Sequence, residues 1–108
     1  MTIDPQKYID FVRQTTSQES LDWPTLNARL THLEMHDDAN VTQLLTAALG
    51  ISAEAGEFTE VVKKIFLQGK PYTEENAFHM KRELGDIMWY VAQACMALDI
   101  SFDEILEM

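Results

Sequence analysis

Residues 41–68, VTQLLTAALGISAEAGEFTEVVKKIFLQ, decide the fold. Leu44, Ala48, Ile51, Ala55, Phe58, Val62 and Ile65 step alternately by four and three positions. That spacing stacks them on one face of an α-helix. Asn40 with Gln43 three positions later resembles a capping box, which satisfies free N–H groups at a helix start. Gly69 and Pro71 supply the stop, because glycine accepts the left-handed backbone of a helix end and proline does not continue the helix. One long helix is therefore predicted from Val41 to about Gln68.

A second long helix follows. Thr73 can cap it, and its stripe is Met80, Leu84, Ile87, Val91, Ala94 and Leu98. Ser101 and Glu104 form a capping box for a last short helix. Upstream, Asp4-Pro5 reads as an N-cap and first-turn proline opening a helix to about Thr16. Thr15 to Asp22 is a polar connector, and Pro24 opens a helix carrying Leu26, Leu30 and Leu33. Residues 36–40 form another break. No segment alternates with the period of a strand. The expected fold is all-α, a four-helix-bundle-type domain spanning 1–108, with 1–40 as an N-terminal helical arm.

With 46% hydrophobic residues among 108, the chain can bury a core without disulfides. Its net charge of -10 argues against a nucleic-acid duplex as partner, which needs a basic surface. Small phosphorylated ligands stay open if a metal bridges the charges. The single Cys95 excludes an internal disulfide and points to a reducing compartment. No apolar run reaches the ~20 residues of a membrane span. The charged start MTIDPQKYIDF lacks a signal-peptide core, so a cytoplasmic location is expected.

Four acids form two matched pairs, Glu54-Ala-Gly-Glu57 and Glu83-Leu-Gly-Asp86. At i, i+3 each pair shares one helix face. With ~100° per residue, Ala47 and Ile65 lie about 20° to one side of Glu54 and Val61 about 20° to the other. Ile87 and Ala94 flank Glu83 on one side and Tyr90 on the other. Glu57 and Asp86 sit about 60° off their partners, in the same sense. Each helix thus carries one inward acid and one acid at the edge. Buried carboxylates without a partner are costly, and four together repel. No Lys or Arg shares the inward arc, so a divalent cation is the expected counter-charge. Oxygen ligands with no His or Cys nearby favour Mg²⁺ or Mn²⁺ over zinc. Glu60, Glu74, Glu75, Asp103, Glu104 and Glu107 read as solvated.

Lys64 and Arg82 lie on the flanks of Glu57 and Asp86, and Lys70 is in the connecting loop. Such cations suit the oxygens of a polyphosphate. The alternative is ordinary surface charge, with pairs such as Glu60 to Lys64. Tyr90, on the inward arc, can stack on a base or fill the core. Trp89 points off that arc, toward another subunit or the N-terminal helices. His32, His36 and His79 share no metal-ligand spacing and read as surface or rim residues. Cys95 reads as an inert buried thiol. No P-loop, nucleophile elbow or glycine-rich dinucleotide turn is present.

LLTAALGISAEAGEFTEVVKKIFLQGKP and ELGDIMWYVAQACMALDISFDEILEM, with their Glu-x-x-Glu and Glu-x-x-Asp pairs, resemble the MazG-like all-α nucleotide pyrophosphohydrolases over Leu44 to Met108. The resemblance implies hydrolysis of a nucleoside triphosphate between the α and β phosphates. It implies Mg²⁺ on Glu54, Glu57, Glu83 and Asp86, base contact by Tyr90, and dimers or tetramers with shared sites. It makes 41–108 the catalytic helices. Family members usually continue with a basic segment resembling Asn-x-x-Lys-Leu. A chain ending at Glu107-Met108 is expected to lack some phosphate contacts. Glu57 is the expected general base, with Glu54 beside it, and Lys64, Arg82 and Lys70 are the expected phosphate-binding cations. Two rival readings are a non-catalytic helical regulator docking a basic partner, and a same-fold hydrolase of another phosphorylated metabolite such as a phosphoribosyl nucleotide.

Overall fold

The computed structural model describes residues 2–108. Helix occupies 81% of the chain and no strand occurs among the described residues, so the fold is all-α. The elements are α1 (Pro5–Thr15), α2 (Gln18–Leu21), α3 (Trp23–His36), α4 (Val41–Leu67), α5 (Glu74–Leu98) and α6 (Phe102–Glu107). Among the described residues no helix is long and apolar enough to cross a membrane.

Local chemistry sets the boundaries. Side chains of Asp4, Asn40, Thr73 and Ser101 accept from the backbone N–H groups of Gln6, Gln43, Asn76 and Glu104. These are the helix starts read from the sequence. The Asn40 cap differs in detail. The Gln43 side chain meets the Asn40 side-chain amide at 3.0 Å, whereas in a capping box it would meet the backbone N–H. Two features depart from the expected boundaries. Asp22 caps α3 through Thr25 N–H at 2.8 Å, so the helix starts at Trp23 with Pro24 in its first turn. The polar connector contains the one-turn helix α2. Gly69, at φ 77, ends α4 in the left-handed region. Asp99 does the same for α5 at φ 55, and Ile100 N–H closes the turn on Cys95 O at 3.0 Å.

The chain divides into two compact units, residues 1–38 and 39–108. In the first, α2 packs on α3 and none of the described residues is buried. The second is a hairpin of α4 and α5 followed by α6. Its helices run antiparallel, because Gln43 meets Gln93, Gly50 meets Tyr90 and Glu54 meets Glu83 in succession. Asn76 ties the connecting loop down, donating its buried side-chain amide to Pro71 O at 2.6 Å.

The seam is rotated relative to the stripes expected from spacing. Ala47, Gly50 and Val61 are buried on α4, whereas Ala48 and Ala55 are exposed. On α5, Asn76, Glu83 and Cys95 are buried, and Leu84 and Leu98 face outward. The reason is close approach. A seam with Ala47 and Gly50 lets the helices come near enough for Glu54, Glu83 and Tyr90 to lie between them, leaving Leu45, Leu49, Leu84 and Met88 outside.

Gly50 shows how close that approach is. A Cβ there would sit 2.0 Å from a ring carbon of Tyr90, whereas one at Gly56 would meet nothing within 4 Å. Gly50→Ala is expected to lower stability by about 1–3 kcal/mol through overpacking. Gly56→Ala is expected to raise it by about 0.5–1 kcal/mol through higher helix propensity. Urea unfolding followed by circular dichroism reads both, and equal effects would disprove the close seat of the Tyr90 ring.

Candidate metal centre

α4 contributes Glu54 and α5 contributes Glu83 and Asp86. Oxygens of all three approach within 4.8 Å of one another. Glu83 is the innermost, with 6% exposure. One of its oxygens, Oε1, lies 3.0 Å from His79 Nε2. A carboxylate only accepts, so that nitrogen carries the hydrogen and donates it. With the neighbouring acids ionised, the other oxygen, Oε2, is shut off from solvent and has no hydrogen-bond partner.

The electrostatics follow from this crowding. Two carboxylates side by side have no donor between them unless one holds a proton. Sharing that hydrogen bond with Glu83, reinforced by burial and by the charges of Glu83, Asp86 and Glu57, pushes the Glu54 pKa up to about 7. The same bond holds Glu83 below the ordinary range, with His79 and Arg82 helping against burial. The proton therefore resides on the Glu54 side.

The residues fit a divalent cation. All three donors are hard carboxylate oxygens, and Glu83 brings a buried oxygen without a donor. A small cation with oxygen at ~2.1 Å takes ligands about 3.0 Å apart in adjacent positions and about 4.2 Å apart in opposite ones. The group needs only small side-chain adjustments to meet that geometry.

Glu57 lies outside this three-residue group. It is exposed one turn beyond Glu54, and its charge still acts on Glu54. Lys64 stands 3.8 Å from Glu60, which also pairs with Lys63 at 3.2 Å. Lys70 and Arg82 line a separate cavity of about 290 Å³ with Asn76 and His79. Glu54, Asp86, Trp89 and Tyr90 line a cleft of about 340 Å³. Trp89, expected to point elsewhere, stands edge-on to Tyr90 with ring centroids 5.0 Å apart. A projection of Cα directions misses this, because a large ring reaches well beyond its own angular position.

His79 is the residue that sequence reasoning passed over, reading it as a surface or rim group. The signal was there: it precedes Glu83 by four positions and so shares its helix face. The expectation of no histidine near the acids is corrected accordingly. Its Nε2 is committed to Glu83, so the candidate ligands remain carboxylates.

Residues 42–108 match the model of the MazG nucleotide pyrophosphohydrolase domain. The chain belongs to the MazG family. One similar protein is the "Gene 37 protein" of Mycobacterium phage L5, 42% identical over 66 residues, covering 59% of this chain and 57% of the phage protein. The chain thus spans little more than half the length of that relative. No solved structure matches the chain significantly. Both acidic pairs, His79 and the Trp89–Tyr90 pair lie inside the matched MazG segment.

Glu54 has an ordinary pKa of 4.5 and a folded pKa of about 7, so the folded state binds the proton more tightly. The stability this contributes is complete below pH 4.5 and is lost as pH rises to about 7. The depressed Glu83 acts with opposite sign and only below 4.5, outside that window. The metal-free protein is expected to lose melting temperature across the window, and Glu54→Gln to lose less. Mg²⁺ competes with the same proton, so its thermal shift should grow over the same range. Differential scanning fluorimetry with and without Mg²⁺ reads both effects, and a Mg²⁺ shift independent of pH would contradict them.

Proposed function

We propose that the protein is a nucleoside triphosphate pyrophosphohydrolase, cleaving (d)NTPs between the α and β phosphates to (d)NMP and pyrophosphate, with nucleotide-pool housecleaning as its role. Mg²⁺ is the proposed cation, with Mn²⁺ as an alternative. The observation that carries the reading is Glu83, buried and with Oε2 lacking a donor, grouped with two further carboxylates whose oxygens come within 4.8 Å. Membership of the MazG family supports the reaction class.

Glu54, Glu83 and Asp86 are the proposed ligands, with Glu57 joining from the edge. When bound, a divalent cation supplies positive charge against polyphosphate oxygens and acidifies water. Glu57 is the proposed base. It is exposed, sits one turn from the cluster and has a free carboxylate to take a proton from attacking water. Tyr90 offers a ring face to the base, and Trp89, perpendicular to it, walls the same cleft. Lys70 and Arg82 are the proposed holders of the departing pyrophosphate, since both line one cavity. Lys64 remains a candidate for a phosphate oxygen, in competition with Glu60.

The rival reading, an acidic face for a basic partner, needs carboxylates turned outward. Burial of Glu83 and the shared proton with Glu54 weigh against it.

A homodimer or homotetramer is the proposed working form. Among the described residues only Ala47, Val61 and Cys95 form the buried apolar core, while Leu45, Leu49, Leu84 and Met88 stay exposed on α4 and α5. Faces of that kind are normally covered by another protein surface. Sedimentation equilibrium is expected to give a multiple of 12.4 kDa. A monomer at micromolar concentration would reject this arrangement.

Asp86→Asn and Glu83→Gln are expected to lower pyrophosphate release from dNTPs in Mg²⁺ by about 100-fold or more. Both should leave the fold intact, because removing a negative charge relieves repulsion. Undiminished release would sink the reaction scheme.

A further inference from the structure

Among the three clustered acids, Glu83 alone has an oxygen held by a group outside the cluster. His79 Nε2 donates to Oε1 at 3.0 Å, and Oε2 stays buried without a partner. A glutamate has three rotatable side-chain bonds and two equivalent oxygens. Left to itself in this seam, Glu83 can turn either oxygen toward Glu54 and Asp86, or swing away from their negative charge. Repulsion within the group favours the latter. The His79 bond opposes it by holding one oxygen back along α5, which limits how far the other can turn from the cluster.

His79 is well placed for this work. It lies one turn before Glu83 on the same helix, so the two backbones hold a fixed spacing. The first turn of α5 is itself anchored, by the Thr73 cap at 3.2 Å and by the Asn76 bond to Pro71 O at 2.6 Å. About a third of the His79 side chain remains exposed, toward the cavity that holds Lys70 and Arg82. The ring is therefore not buried for packing alone. Its polar edge spans from that cavity to the acid cluster.

We propose that His79 is a positioning residue for the metal centre: its Nε2–H fixes Glu83 so that Oε2 is presented to the cation. This rests on the cation reading of Glu54, Glu83 and Asp86. Groups that orient ligands from behind set metal affinity, with losses of about 10–100-fold when they are removed. The role differs from ligation, because His79 touches the carboxylate and not the ion.

The test is Mn²⁺ binding to the full chain, measured by calorimetry or by the electron paramagnetic resonance of free Mn²⁺, without substrate. His79→Leu keeps bulk and removes the donor. His79→Gln keeps an N–H at similar reach. The expected result is a loss of Mn²⁺ affinity of about 10-fold or more in His79→Leu, with most of it restored in His79→Gln. In assays, the Mg²⁺ concentration giving half-maximal rate should rise in His79→Leu, with kcat recovering at saturating Mg²⁺. Equal Mn²⁺ affinity in His79→Leu and wild type overturns the inference while leaving the metal centre standing. Equal loss in His79→Leu and His79→Gln also overturns it, since packing or ligation would then explain the effect. Failure of the wild-type chain to bind Mn²⁺ removes the metal reading and this inference together. Should His79→Leu fail to fold, His79→Ser, whose hydroxyl is too short to reach Glu83, carries the same comparison.

Discussion

Crowding of negative charge between α4 and α5 is the constraint on which the hairpin depends. Glu54, Glu83 and Asp86 bring oxygens within 4.8 Å of one another in a seam that also buries Val61 and Ala47. Hydrophobic burial pulls the helices together, and the carboxylates push them apart. The fold settles this with protons and donors: one proton retained near Glu54, one N–H supplied by His79. That solution is partial, because once the proton leaves Glu54, Glu83 Oε2 is a buried acceptor without a donor. A buried acceptor left in this state works against folding, so its persistence points to a ligand that completes it.

The same constraint explains the unusual distribution of side-chain size. Small residues occupy the seam, so the acids and Tyr90 can fit between the helices. Gly50 is the clearest instance, since the Tyr90 ring occupies the space a Cβ would need. The consequence appears on the outside. Leu49, Leu84 and Met88 are displaced to the surface, at about half exposure or more. A hairpin that uses its interior for chemistry has little left for an apolar core, and its outer faces become the natural place for another subunit. The proposed site and the proposed assembly would in this sense both follow from one choice of seam.

Much of this was legible in the sequence because it is local. Proline and cap residues mark helix starts through bonds spanning two or three positions, and the caps at Asp4, Asn40, Thr73 and Ser101 all form. The acid pairs were legible for the same reason, since i, i+3 spacing fixes a face. Helical projection also put Glu54 and Glu83 inward. The rest was illegible because it depends on which of several plausible faces meets the partner helix. Apolar counting put Leu84 and Leu98 in the stripe, yet the seam rotates toward Glu83 and Tyr90. The partition of the cations was likewise hidden. Lys64 has an acid in reach on its own helix, whereas Lys70 and Arg82 meet only once the loop folds back.

His79 marks the border between these two kinds of information. Its spacing to Glu83 is as local as a capping box and was available from the start. What the sequence did not reveal was that Glu83 would be deeply buried, with one oxygen satisfied and one not. An i, i+4 histidine–glutamate pair on an exposed face contributes little, because water screens it and competes for the same bonds. Buried beside two further acids, the same pair decides which way a carboxylate points. The chemistry of the pair thus depends on the depth to which the partner helix carries it, and that depth is set by the small residues of the opposing α4 face.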